Sequence, residues 1–204
     1  MRTSILLFTT IVMITALLAC ADSASKARAQ LSDEHVPAVP LELVYQARDG
    51  DLYITDLLLK AGIGPNVTDE DKRTPLMYAA MKGHPDVVKR LLGAGAHINQ
   101  MDQNGRTALF FAAREGNTEA VQVLLNYGAN PNIRDESGYA PLLVAAEEGF
   151  PEVTTELIDG GADVNAVNKE GQTALMLALL KEEPQVVDVL LKKGINVEKQ
   201  DNQG

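Results

Sequence analysis

The chain has 204 residues, a formal net charge of −10, three histidines and a single cysteine. This length suits one folded domain with a short additional segment. The acidic balance argues against nucleic acid and against an anionic membrane surface as the main partner, because both carry negative charge themselves.

Residues 1–20 have the composition of a secretion signal. Arg2 supplies a positive start, and an uncharged stretch of 14 residues, Ile5 to Leu18, follows it. Such a stretch is short for a membrane span and typical of a signal peptide. It ends in Leu17-Leu18-Ala19-Cys20, which resembles a bacterial lipobox, in which the cysteine is lipidated and becomes the mature N-terminus. Ordinary cleavage at a small-x-small site and an uncleaved anchor are the alternatives.

Residues 21–35 are small and polar, and this composition predicts a flexible tether. From residue 36 onward the sequence repeats every 33 residues without an insertion, which is the signature of a repeat array. A domain over residues 36–204 is therefore predicted. Its units are 36–68, 69–101, 102–134, 135–167 and 168–200, and residues 201–204 would open a sixth.

The sequence of each unit predicts two short helices followed by a polar turn. In the third unit, Thr107 stands where a helix N-cap belongs, and Gly116 and Gly128 suit the left-handed conformation that ends a helix. The second helix carries an apolar stripe at helical spacing: Ala120, Val121, Leu124 and Leu125. Neither helix is long enough to be stable alone in water, so each unit must bury its apolar face on its neighbours.

These landmarks closely resemble the ankyrin repeat, in which the motif T-P-L-H opens the first helix and G-A-x-x-N follows the second. The resemblance implies an all-α solenoid of about five 33-residue helix-turn-helix units with hairpin-like fingers. This chain departs from the motif in one systematic way, because apolar residues replace its histidine: Met77, Phe110, Leu143 and Met176. We therefore expect apolar packing where the family has a ladder of histidine hydrogen bonds.

The two terminal units differ from the middle ones. The first lacks the Thr-Pro start and is expected to be the N-terminal cap of the array. The fifth has Glu182 where glycine is expected, which predicts a strained or different turn between its helices. The second helix of the fifth unit also keeps its apolar residues, including Leu191, as an internal unit would, and the first helix adds Leu180. That pattern leads us to expect either a fragment of a longer array or an end that frays or is covered by another chain.

No motif predicts catalysis, a metal site or a cofactor, and the chain is interpreted as a protein that is not an enzyme. The histidines have no metal-ligand spacing, and no serine or cysteine has a histidine partner by motif. The resemblance instead implies binding of another protein through finger tips and the ends of the first helices. Mapped onto this sequence, the tips are Glu70, Asp71, Arg73, Gln103, Asn104, Arg106, Glu136, Ser137, Tyr139, Lys169, Glu170 and Gln172, and the helix ends are Met81, Lys82, Arg114, Glu115, Glu147 and Glu148.

The leading hypothesis is a protein-protein interaction scaffold in the bacterial cell envelope. It faces the periplasm, and lipid on Cys20 is its only link to the outer membrane. The alternative is a soluble protein that is located in the periplasm or secreted. The alternative functions are an immunity- or inhibitor-type protein that neutralises an envelope-acting toxin or enzyme, and the repeat part of a longer protein with a catalytic region. No nucleic acid or small-molecule substrate is expected. Charge reversal at Arg106 and Arg114 is expected to weaken partner capture and to leave the melting curve nearly unchanged.

Overall fold

The computed structural model describes residues 21–202, and within them the fold is a stack of short helices. The first helix, α1, is described over residues 21–33. The ten that follow are α2 (Pro40–Asp49), α3 (Leu52–Lys60), α4 (Pro75–Met81), α5 (Pro85–Gly93), α6 (Ala108–Arg114), α7 (Thr118–Asn126), α8 (Pro141–Glu147), α9 (Pro151–Asp159), α10 (Ala174–Leu180) and α11 (Pro184–Lys192). In this range none of the helices has the length and apolarity needed to cross a bilayer.

The helices form two layers, as predicted for a helical repeat solenoid. First helices of successive units pack side by side in one layer, α2 on α4, α4 on α6, α6 on α8 and α8 on α10. Second helices α3, α5, α7, α9 and α11 form the other layer in the same order. The first helices lie closer to one another than the second helices do. The stack therefore curves towards the first helices, whose exposed ends line its inner face.

The apolar core confirms the 33-residue register. The leucine that recurs in every second helix is completely buried in all five units, at Leu58, Leu91, Leu124, Leu157 and Leu190. These side chains follow one another through the stack and join it into one cluster. A continuous core of this kind makes stability a sum over neighbouring units rather than a property of any single unit.

Apolar packing replaces the histidines of the family motif, as expected. Met77 is 1% exposed, Phe110 is 5% exposed and Leu143 is fully buried. The two methionines also assist the helix start, because the Sδ atoms of Met77 and Met176 each accept the backbone N–H of the preceding N-cap threonine at 3.4 Å.

Helix N-caps follow the sequence prediction in the threonine-led units. The hydroxyl oxygens of Thr74, Thr107 and Thr173 accept the backbone N–H three residues later, at 3.2, 3.3 and 3.3 Å. The fourth unit has Ala140 at this position, and α8 has no side-chain cap. The Leu143 N–H, whose equivalent in the threonine-led units meets a threonine hydroxyl, donates instead to the carbonyl of Ala140 at 3.0 Å.

Ala140→Thr is expected to raise the free energy of unfolding by about 1 kcal/mol, the usual contribution of a threonine cap over alanine. The substitution is in register with Thr107, and the two positions are buried to a similar degree, at 2% and 1% exposure. Urea unfolding of the variant and the wild type measures the difference. Ala140→Val is the matched control, because valine fills the same volume without an acceptor. Equal effects of threonine and valine would show that the hydroxyl forms no cap.

The turn between the two helices of each unit is left-handed at one residue. Glycine occupies this position in the first four units, as at Gly116, where φ is 73°. A Cβ on Gly116 would lie 2.6 Å from the ring of Phe150 in the next unit, so both the conformation and the close approach require glycine. Glu182 occupies the position in the fifth unit and adopts the same turn with φ of 61°. The left-handed conformation is strained for a residue other than glycine, so the predicted strain is present at Glu182. The turn itself has the same geometry as in the other units.

Residues 21–33 correct the prediction of a flexible tether. They form α1, whose Ala27 and Leu31 are buried in the core cluster at 2% and 0% exposure. Arg28 Nη2 also donates to the carbonyl of Ala61 at 3.0 Å, at the end of α3. The segment is rich in good helix formers, and its buried side is narrow. Because most of the segment is polar, its composition does not indicate this narrow apolar side. Together with the first unit, α1 covers the N-terminal end of the array.

The outer face of the fifth unit is apolar and uncovered within the described residues, as the sequence predicts. Leu180 is 66% exposed, Leu179 is 59% exposed and Leu191 is 51% exposed. The equivalent face of every other unit is packed against the unit that follows it.

Backbone amides of Val187 to Leu191 are expected to exchange with solvent much faster than those of Val121 to Leu125 in the isolated monomer. The α11 segment packs on one side only, whereas α7 lies between α5 and α9. Local opening requires less free energy where fewer contacts must break. Native-state hydrogen exchange measures both segments in one experiment, and the α7 segment is the internal control. Equal protection in a demonstrated monomer would contradict the expectation.

Candidate protein-binding surface

The finger between successive units is built around the carboxylate that begins it. In the third unit, Asp102 Oδ1 accepts the backbone N–H groups of Asn104 and Arg106, each at 2.9 Å. Asp69 and Asp135 hold the second and fourth fingers in the same way. The chain then reverses at a left-handed residue, which is Gly105 in the third finger, with φ of 79°. Each finger is therefore a tight turn braced by its own first side chain.

Backbone hydrogen bonds connect the fingers into a row. Gln103 N–H donates to the carbonyl of Asp71 at 3.0 Å, and Glu136 N–H donates to the carbonyl of Asn104 at 2.9 Å. The same bond joins Lys169 to Ser137 at 3.2 Å and Asn202 to Glu170 at 3.0 Å. The predicted tip residues are thus brought together along one edge of the stack, beside the ends of the first helices.

The predicted binding residues fall into two groups by exposure. Nine are exposed and available to a partner: Glu70, Lys82, Gln103, Glu115, Glu136, Ser137, Glu148, Lys169 and Glu170. The other nine are half-buried: Asp71, Arg73, Met81, Asn104, Arg106, Arg114, Tyr139, Glu147 and Gln172. The exposed group carries both charge signs, and the half-buried group largely interacts within the fold.

Three arginines surround one buried aromatic ring on the inner face. Phe111 is 1% exposed, and the guanidinium carbons of Arg73, Arg106 and Arg114 lie 5.6, 5.0 and 5.2 Å from its ring centroid. Cations at this distance are attracted to the face of an aromatic ring. We call these four residues the Phe111 cluster. Its charges are balanced by nearby carboxylates, because Arg106 pairs with Asp102 at 2.8 Å and Arg114 pairs with Glu115 at 2.7 Å.

Arg106 is a structural residue of the third finger, which corrects the expectation that its charge reversal would leave the melting curve nearly unchanged. Its Nε and Nη2 atoms donate to Asp102 Oδ2 at 3.0 and 2.8 Å, and the Asp102 side chain is completely buried. Burial alone would raise the pKa of Asp102. Hydrogen bonds from the Arg106 guanidinium and from the backbone N–H groups of Arg106 and Asn104 outweigh burial and hold that pKa below its usual value.

Two further predicted tip residues brace the fifth finger rather than point away from it. Gln172 Oε1 accepts from Asn168 Nδ2 at 2.9 Å. Burial raises the pKa of Tyr139, whose phenol interacts with Asn168 and Glu147. The last position of each finger is therefore occupied by a side chain that supports the turn, and the outermost tips carry the exposed groups.

A groove at the N-terminal end of the inner face was missed by the sequence analysis. Its volume is about 730 Å³. The floor is apolar and exposed, with Val39 at 47%, Leu41 at 39% and Tyr45 at 42%. One lip is acidic and consists of Asp69, Glu70 and Asp71 in the second finger. We call this the N-terminal groove.

A sequence signal for this groove does exist. Leu41 and Tyr45 are four residues apart, which places them on one face of α2. The sequence predicts that the first unit is the N-terminal cap, with one face towards water, but it does not predict a groove there. The other side of α2 is buried against α3 and α4 through Leu43, Val44 and Ala47. The face with Leu41 and Tyr45 stays open.

Over residues 21–202, histidine, cysteine and carboxylate side chains form no cluster of three or more suited to a metal ion. Cys20, the predicted lipidation site, lies outside the described residues.

Comparison with protein-family models gives a match over most of the chain. The model described as ankyrin repeats (3 copies) matches residues 43–135 and 130–201. The two matches together span all the units that the 33-residue period predicts, apart from the first seven residues of the first unit. A search of curated proteins finds no match for the chain.

Proposed function

The chain belongs to the ankyrin repeat family, and we propose that it is an exported scaffold of the bacterial cell envelope that captures a partner protein on its finger row and inner face. Ankyrin repeats generally mediate protein-protein interactions, typically without catalysis. The observation that supports binding on this side is the row of exposed tips on a hydrogen-bonded ladder of fingers. A preorganised surface of this kind loses little conformational freedom when a partner binds.

The proposed location rests on the first twenty residues of the sequence. Their positively charged start, uncharged stretch and lipobox-like end favour export and lipidation at Cys20. Ala21 follows the cysteine, where an aspartate would favour inner-membrane retention by resemblance to enteric lipoproteins. Because α1 packs onto α3 and the core, a lipid on Cys20 would hold the array close to the outer membrane rather than at the end of a loose tether.

Fatty-acid labelling tests the anchor. In a bacterial host, wild-type protein is expected to incorporate a radioactive fatty acid and Cys20→Ser is expected not to. Cys20 is the only cysteine, so no other thiol competes as an acceptor. Equal labelling of both proteins, or no labelling of the wild type, would overturn lipidation and favour a soluble exported protein.

Site-specific photo-crosslinking tests the binding surface. A photo-reactive phenylalanine derivative is introduced at the exposed tips Gln103, Glu136 and Lys169, and at the exposed second-helix positions Glu119 and Glu152 as controls. Irradiation of intact cells is expected to join the tip positions, and not the controls, to a common partner. Crosslinks from the controls alone, or from no position, would overturn the proposal.

An inhibitor of a basic, envelope-acting toxin or enzyme is the second candidate. The net charge of −10 and the acidic lip of the N-terminal groove favour a basic partner and fast electrostatic attraction. Protection of cells from a co-expressed toxin distinguishes this candidate, because a passive scaffold would give none.

A further inference from the structure

We infer that the N-terminal groove binds an extended peptide segment of the partner, in which apolar side chains alternate with lysine or arginine, and that this segment pairs with the second finger as a preceding finger would. The inference rests on the proposed function, since it specifies the chemistry of the partner that the inner face captures.

The finger ladder has an unpaired donor at its N-terminal end. In the third, fourth and fifth fingers, the second residue donates its backbone N–H to the preceding finger, as Gln103 does to Asp71. Glu70 is the equivalent residue of the second finger, and residues 21–202 provide no acceptor for its N–H. The other N–H groups of that finger, including those of Asp71 and Lys72, are all bonded. The open donor thus lies on the lip of the N-terminal groove.

The groove exists because the first unit has no finger. An aspartate braces the second, third and fourth fingers, whereas Val36 stands at that position of the first unit. The chain turns instead into α2, where Val39 N–H donates to the carbonyl of Pro37 at 2.8 Å, and α2 begins at Pro40. An extended peptide in this space places one of its backbone carbonyls opposite the Glu70 N–H. The same kind of backbone hydrogen bond forms when a peptide adds to the exposed edge of a sheet.

The floor of the groove fits alternate side chains of an extended segment. Side chains alternate in direction along such a segment, so every second residue faces Val39, Leu41 and Tyr45. Apolar side chains at those positions remove exposed apolar surface from water.

The lip selects basic residues at the remaining positions. The groove lining contains three carboxylates and one guanidinium. That guanidinium, Arg48, is held by Asp49 at 3.0 Å and lies 5.5 Å from the Tyr45 ring centroid. Asp69 accepts from the Tyr78 hydroxyl at 2.7 Å. Asp71 accepts from Gln103 Nε2 at 2.8 Å and pairs with Arg73 at 3.5 Å. The Glu70 side chain is exposed and has no ion-pair partner in the described part of the chain.

Binding of a synthetic peptide tests the inference. A fluorescein-labelled peptide of alternating valine and lysine is titrated with the purified protein, and its fluorescence anisotropy is measured. We expect saturable binding that weakens as salt rises, and no binding of the same peptide with glutamate in place of lysine. Equal binding of both peptides, or binding of neither, would overturn the inference.

Two substitutions at one residue isolate the backbone donor. Glu70→Ala and Glu70→Pro both remove the carboxylate, but only proline also removes the N–H. The peptide is expected to bind the proline variant about two- to tenfold more weakly than the alanine variant, as for the loss of one hydrogen bond. Equal affinities would overturn the predicted pairing.

Controls separate binding from folding. Lys72 N–H donates to the carbonyl of Asp69, so Glu70 is the second residue of a turn, where proline is favoured. The melting temperature of Glu70→Pro should therefore match that of Glu70→Ala. Glu136→Pro, at the matched position of the fourth finger, loses its bond to Asn104 and should therefore melt earlier than Glu70→Pro. Tyr45→Ser tests the floor independently, and peptide binding unchanged by this substitution would overturn the inference.

Photo-crosslinking to the native partner distinguishes a failure of this inference from a failure of the proposed function. If crosslinks form from Glu136 and Lys169 but not from photo-reactive residues at Glu70 and Tyr45, the scaffold function stands and the groove inference falls. If the partner is crosslinked from Glu70 and Tyr45 as well, and Glu70→Pro loses it relative to Glu70→Ala, both are supported.

Discussion

Replacing Leu124 with alanine is expected to lower the free energy of unfolding by about 2–5 kcal/mol, the range for large-to-small changes in a packed core. Leu124 is completely buried in the middle unit, and the equivalent Leu91 and Leu157 are buried in the units on either side. The substitution removes apolar contacts and leaves a space that the neighbouring units close only in part. Because the array is stabilised by neighbouring units, a defect in its centre weakens two interfaces together.

Urea unfolding followed by circular dichroism measures the loss, and Leu180→Ala is the matched control. Leu180 is 66% exposed, so its truncation should change the free energy of unfolding by well under about 1 kcal/mol. A loss below about 1 kcal/mol for Leu124→Ala would mean that the core does not depend on this leucine position.

Replacing Arg106 with methionine is expected to lower the free energy of unfolding by about 1–3 kcal/mol near neutral pH. The substitution keeps most of the side-chain volume but removes both guanidinium hydrogen bonds to Asp102, whose side chain is completely buried. A buried carboxylate that loses its charged partner retains its desolvation cost without compensation. Arg73 lies 3.8 Å away and offsets only part of this loss.

The pH dependence of the same variant provides a second measurement. The pKa of Asp102 is lowered in the folded protein. The ionised carboxylate therefore stabilises the fold above its unfolded pKa of about 3.9, and this contribution disappears as pH falls through the folded pKa. Methionine at position 106 raises the folded pKa, so the stability difference between wild type and variant should narrow as the pH falls below about 4.

Arg114→Met is the control for this comparison. Arg114 also lies over Phe111, but its partner Glu115 is 41% exposed and remains hydrated when the pair is broken. Its substitution should therefore change stability much less than that of Arg106. Equal losses for the two arginines would show that contact with Phe111, rather than the pair with Asp102, carries the effect.

The sequence alone determined the features that depend on local pattern. Thr107 as an N-cap, Leu124 as a core residue and the left-handed turn at Gly116 all follow from residue type and spacing within one unit. The 33-residue period then repeats these local solutions along the chain. The uncovered face of the fifth unit was predictable for the same reason, because Leu191 keeps the apolar pattern of an internal unit.

Only the tertiary structure decided the features that depend on contacts between units. The helix over residues 21–33 is stabilised by packing against Ala61 and the core, which its polar composition does not reveal. The Phe111 cluster joins Arg73 of the second unit to Arg106 and Arg114 of the third, so the sequence of one unit does not show it. The open N–H of Glu70 exists because a neighbouring finger is absent. Such features follow from which surfaces meet after folding, and spacing within a unit does not specify that.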